Sequence, residues 1–166
     1  MDTITITFPE VKVKIPIEDL TFDILENMLF EILQNIARKV FEKALTDIDS
    51  YLRNKRERGK LKNTGKREKY FLTRFGDIFD SRTRYKDRQG KSHYLLDEAL
   101  SIVKNQRISL SRARIECFLS ALSTYREVVE GIRLLIGGPR CHEAIRQSVI
   151  KAVSYTHLTL PTILLV

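Results

Sequence analysis

The chain has no tryptophan, two cysteines, four prolines and seven glycines in 166 residues. So little glycine and proline excludes collagen-like and low-complexity chains. Cys117 and Cys141 stand far apart with no further Cys or His at a ligand spacing. This excludes a disulfide framework and a zinc knuckle, and it fits a reducing compartment. No apolar run approaches the ~20 residues that span a bilayer. The N-terminus, Met1-Asp2-Thr3-Ile4-Thr5, lacks the basic and apolar regions of a signal peptide. The sequence therefore reads as a folded, soluble, cytoplasmic protein with no membrane partner.

What is plentiful is charge, 30% of residues, with 29 Lys and Arg against 21 Asp and Glu, for a net +8 and a pI near 9.6. It is unevenly spread. Residues 1–50 hold 5 basic and 10 acidic residues, residues 51–92 hold 15 and 5, and residues 93–152 hold 9 and 6. The middle third thus carries more than the whole excess, which favours a polyanionic partner such as nucleic acid or an anionic membrane surface, between which charge alone does not choose.

Leu25, Leu29, Ile32, Ile36, Val40, Ala44 and Ile48 recur at three or four residues, and predict an amphipathic helix over about Phe22 to Leu52 with Thr21 as N-cap. Its stripe is wide enough for a homodimer or a further domain, with intrachain packing as the equal alternative. Ahead of it, residues 4–15 alternate around Pro9 as a weak hairpin or arm. Residues 53–68 read as a basic linker. Tyr70 to Phe75, Ile78 to Lys86 and Ser92 to Leu96 predict a three-stranded meander within 69–96.

Helical periods return at Asp97 to Val103, Leu110 to Leu122 (Ile115, Phe118, Leu119 and Leu122 inward), after the capping box Thr124 to Glu127 (Tyr125, Val128, Val129, Ile132, Leu135 and Ile136 inward), and at His142 to Ala152. The class is α+β: a long N-terminal helix over 1–52 with its arm, an antiparallel meander, and a helix-turn-helix-like domain over 97–152. Residues 153–166 have no charge and no helical period. Val153 to Thr162 resemble the in-frame translation of a transposon-end sequencing adapter, with a C-terminal strand as the alternative. On the adapter reading the natural chain continues beyond Ala152.

Helices joined by a Gly-containing turn suit a helix-turn-helix, whose second helix lies in the major groove of duplex DNA. Arg146 and Gln147 would read bases there, Arg by two donors to guanine and Gln by a two-point contact to adenine, with His142 and Lys151 beside them. Lys66, Arg67, Lys69, Arg74, Arg82, Arg84 and Lys86 would track phosphates, with Tyr70 and Tyr85 as possible stacking groups. Catalytic signals are poor: Asp97 and Glu98 suit a helix start, Asp77, Asp80 and Asp87 suit turns and a cationic strand, and His93 and His142 have no nucleophile at a meaningful spacing. No metal site and no small-molecule substrate is indicated.

Thr73-Arg74-Phe75-Gly76-Asp77-Ile78, Arg84-Tyr85-Lys86-Asp87, Gly90-Lys91, Tyr94-Leu95-Leu96-Asp97-Glu98-Ala99-Leu100 and Gln106-Arg107-Ile108-Ser109 closely resemble the N-terminal part of the ISLre-type insertion-sequence transposases, long catalogued only as an uncharacterised bacterial family. Thr124-Tyr125-Arg126-Glu127 and His142-Glu143-Ala144-Ile145-Arg146 continue the likeness, which covers about Leu20 to Ala152. It implies a DNA-binding region before a ribonuclease-H-like core that holds divalent metal for strand transfer. That core is expected after Ala152, so no catalytic residue and no cofactor is carried over to this chain. A stand-alone helix-turn-helix regulator and a basic RNA-associated protein are the alternatives.

Overall fold

A computed structural model describes residues 14–17, 19–56, 59–136 and 140–159, with side chains as far as residue 150. The arm expected over 4–15 and the Gly137-Gly138-Pro139 turn fall largely or wholly outside these residues. The elements are α1 (Phe22–Lys55), β1 (Lys62–Thr73), β2 (Gly76–Lys86), β3 (Ser92–His93), α2 (Leu95–Ala99), α3 (Leu110–Leu122), α4 (Tyr125–Leu135) and α5 (His142–Thr159). This is an α+β chain with a long N-terminal helix, a three-stranded sheet in the order β1-β2-β3 and a run of C-terminal helices. It forms two compact units, Met1–Phe71 with Asp77–Arg107, and Leu72–Gly76 with Ile108–Val166.

In the first unit α1 starts where a hydroxyl can satisfy a free N–H: Thr21 Oγ1 accepts from the Ile24 N–H at 3.3 Å, with Asp23 in the first turn. The core joins Leu45 to Phe71, Ile78 and Leu96, flanked by Ile48, Leu52 and Ile102. β3 meets β2 only at Tyr85↔His93 and Lys86↔Ser92, so among the described residues most of one β2 edge has no strand partner. Helix α1 supplies the missing acceptors. Glu42 accepts from the Phe79 N–H at 2.9 Å, and the buried Asp49 accepts from the Thr83 N–H at 3.3 Å and the Thr83 hydroxyl at 2.6 Å. A helix that satisfies an exposed strand edge also blocks it against foreign strands.

Two expectations are corrected here. Residues 62–68 are the first half of strand β1, not linker. At its start the Asn63 side chain accepts from the Gly65 N–H at 2.9 Å, and Gly65 has φ +99°, a conformation in which a Cβ is strained. The strand expected to reach Leu96 stops at His93, and α2 begins at Leu95.

In the second unit α3, α4 and α5 pack on one another around Val128, Ile132, Ile136 and Ile145, with Ile115, Leu119, Tyr125, Val129 and Val149 beside them. Ser109 caps α3, and Thr124 with Glu127 forms the expected capping box on α4. The inward face of α3 differs from expectation. Phe118 and Leu122 are exposed, as is Leu135 on α4, while Arg112 and Glu116 are each 0 % exposed. Glu116 accepts from Arg112 Nε at 3.0 Å and from Arg140, which also donates to Ala144 O at 3.0 Å and Ser148 Oγ at 2.9 Å. Arg112 reaches Thr73 O at 3.3 Å. The inner face thus combines the apolar Ile115 and Leu119 with a buried ionic group, in which one carboxylate takes both guanidinium groups. α5 runs on to Thr159, so the residues after Ala152 begin as helix. No described helix is long and apolar enough to cross a membrane.

Candidate nucleic-acid interface

The basic segment separates into cations that face solvent and cations that are occupied. On β1 and β2, Lys62, Lys66, Arg67 and Lys86 are exposed and make no ion pair with a described residue. β1 places three of them in six residues because its first half is open on both faces. Arg74, in the second unit, is also exposed, its guanidinium 5.9 Å from the Phe75 ring centre. Arg84 is half-buried, its Nε donating to Thr64 Oγ1 at 3.0 Å, while that hydroxyl donates to Arg84 O.

Arg82 and Lys69, expected to track phosphates, do not face solvent. Both meet Asp97 of α2, Arg82 in a close ion pair and Lys69 at 3.7 Å. Arg82 also lies 4.2 Å from the centre of the Tyr94 ring, and Lys69 4.7 Å from that of Phe71. The cause is a change of phase along β2: Ile78 and Asp80 are buried, but so are Thr83 and Tyr85. A strict two-residue alternation cannot produce that pattern. Tyr85, 0 % exposed, is therefore unavailable to stack on a base. Phe79, an exposed ring on this hairpin 5.3 Å from Tyr70, was given no role by the sequence reading.

Asp80 lies beside this cluster, its carboxylate oxygens buried without a hydrogen-bond partner. Burial raises its pKa from 3.8 to about 6; Arg82 opposes the rise, and Asp49 and Asp97 add to it. Burial and Arg82 together lower the Lys69 ammonium. Because the folded state holds the Asp80 proton more tightly than the unfolded chain does, stability falls as pH rises from about 4 to about 6, by of order 2 kcal/mol. Asp80→Asn should remove that slope and raise Tm at pH 7. Urea unfolding of both proteins at either end of the window checks it; an unchanged pH dependence would sink the assignment.

In the second unit, Arg146 and Gln147 are exposed on the first turns of α5, and both are held by one residue. Glu143 accepts from Arg146 Nε at 2.9 Å, Arg146 Nη2 at 2.7 Å and Gln147 Nε2 at 3.0 Å. The Arg146 and Gln147 hydrogen bonds, with the nearby charges, hold the Glu143 carboxyl at about 2 and raise Arg146. An exposed pair of this kind costs little to open. His142 lines a cleft of about 540 Å³ with Arg126, Glu127, Val129, Glu130 and the exposed Cys141, a mixed surface in contrast to the cationic half of β1. Lys151 lies beyond the described side chains.

No three His, Cys, Asp or Glu side chains among the described residues come together as a metal site. Sequence reasoning missed Asp49, Asp97 and Glu116 as the carboxylates that organise these surfaces. The one available cue was the i,i+4 spacing of Arg112 and Glu116, which is equally common on exposed helices. No curated protein matches the chain. A family profile described as Uncharacterised protein family (UPF0236) does match, over residues 17–159, and the chain belongs to that family.

Proposed function

We propose that this chain binds double-stranded DNA in the cytoplasm, as the DNA-recognising N-terminal part of an insertion-sequence transposase of the ISLre type. The observation that carries the reading is the set of exposed cations Lys62, Lys66, Arg67 and Lys86 on one hairpin, which make no ion pair with a described residue. Such groups release counterions from a phosphate backbone, which gives affinity without sequence choice. Base reading falls to Arg146 and Gln147 of α5, which exchange the Glu143 carboxylate for base edges. The divalent metal of strand transfer belongs, in this reading, to a catalytic core after Ala152.

Titration of element-end and scrambled duplexes over a range of salt concentrations is the test. Replacing Lys66, Arg67 and Lys86 together with Ala should weaken binding to all duplexes alike and reduce the log–log salt slope by about 0.9 for each phosphate no longer neutralised. Arg146→Ala or Gln147→Ala should instead reduce discrimination between the duplexes by roughly 1–3 kcal/mol. An unchanged slope in the triple variant overturns the phosphate surface. Tighter binding to RNA than to DNA would favour an RNA-associated role.

A further inference from the structure

Helix α1 has two faces with different environments. Leu45, Asp49 and Leu52 are packed or bonded within the first unit. At about 100° per residue, Phe22, Leu29, Leu33, Ile36 and Val40 fall on the opposite side. Phe22, Leu29 and Leu33 are exposed, Leu33 by 63 %, with the exposed Phe30 beside them. The stretch from Phe22 to Phe41 spans about 30 Å, and an apolar strip of that length on a surface marks an interaction site.

The charges on this stretch name the occupant. Residues 22–33 carry Asp23, Glu26 and Glu31 and no base, whereas residues 34–44 carry Arg38, Lys39 and Lys43 against Glu42 alone. Glu26, Glu31, Arg38 and Lys39 have no ion-pair partner among the described residues. A parallel copy would set acid beside acid. An antiparallel copy lays the acidic half of each helix along the basic half of the other.

We propose that a second copy of this chain covers this face, with the two α1 helices antiparallel about a two-fold axis between Gln34 and Asn35. Leu33 then lies opposite the partner's Ile36, Leu29 opposite the partner's Val40 and Leu25 opposite the partner's Ala44, a self-complementary arrangement. A specific dimer buries about 1,200 Å² or more in all, so the strip needs its flanking charged side chains in the contact as well. The halved charge pattern sets direction more than strength.

Sedimentation of the full chain at tens of micromolar should give about twice the 19.3 kDa monomer mass. Leu29→Glu with Leu33→Glu should return the mass to that of the monomer with helical content unchanged, since both side chains are exposed. With the exposed Cys141 replaced by Ser, Leu25→Cys plus Ala44→Cys should cross-link two copies on oxidation, and Leu25→Cys alone should not. A monomeric full chain, or a dimer indifferent to the glutamates, overturns the proposal. Self-linking of Leu25→Cys alone overturns it in favour of a parallel pair. If deleting residues 1–13 converts a monomer into a dimer, the strip belongs to that segment, and the proposal fails.

Discussion

Replacing Glu116 with alanine is expected to destabilise the helical unit by about 3–5 kcal/mol, a large part of the 5–15 kcal/mol that holds a typical domain together. The loss comes less from the attraction removed than from what stays behind. Arg112 is wholly enclosed and Arg140 nearly so, and without the carboxylate two guanidinium groups remain charged in a low-dielectric interior, beside neutral acceptors such as Thr73 O, Ala144 O and Ser148 Oγ. Glu116→Gln, which retains one acceptor oxygen, should lose less. Denaturant unfolding followed by circular dichroism measures both. Cys117 gives an independent readout: burial, and then the Glu116 charge, hold its thiol above the ordinary range. Opening of α3 in Glu116→Ala should therefore speed alkylation of Cys117 more than that of the already exposed Cys141. A loss under 1 kcal/mol would mean that water reaches the triad.

The matching expectation in the sheet unit is that Asp97→Ala costs a similar 3–5 kcal/mol, since one carboxylate on α2 neutralises both Arg82 and Lys69. The two cations differ in how they tolerate its removal. Arg82 keeps its stack on Tyr94 but cannot shed its charge. Lys69 can. Burial already lowers its pKa, and Asp97 is the group that chiefly holds it up. In Asp97→Asn the folded state therefore binds fewer protons than the unfolded chain as pH approaches 9–10, and stability should rise with pH in that window. Unfolding midpoints at pH 7 and pH 9 decide the matter, and a parallel fall of wild type and variant on raising pH would contradict the coupling.

These carboxylates also mark where the sequence was readable and where it was not. Thr21 and the Thr124–Glu127 box announce helix starts by local chemistry, and both caps are present, while the Ser109 cap of α3 went unread. Apolar periodicity located α1, β2, α4 and the start of α5 to within a few residues. It failed for residues 62–68 because a strand half exposed on both faces has no buried side to write a period of two; backbone pairing holds it, with Thr64 and Arg84 bonded across it. It failed at Tyr94-Leu95-Leu96 because a short apolar run fits a strand end and a helix start equally. On α3 it was half right. Ile115 and Leu119 pack on the core as expected, but Phe118 and Leu122 are exposed and Arg112 and Glu116 are buried instead, and a charge in sequence reads as surface until its partner is known. The candidate interface was legible as a basic region, but not residue by residue, because which cations remain open depends on Asp97, remote from most of them in sequence.

The carboxylates of Glu42 and Asp49 have a consequence for how the chain is made. They stand on α1, and the strand edge they satisfy begins at Gly76, later in the chain. During synthesis the N-terminal segment emerges first and helices form faster than sheets. By the time β2 leaves the ribosome, the groups that will close its open side are already on a finished helix beside it. The edge need never face a neighbouring nascent chain unguarded. Reversing that order by circular permutation would expose the hairpin edge before its cover exists, and should raise the tendency to aggregate during synthesis while leaving the final fold as it is.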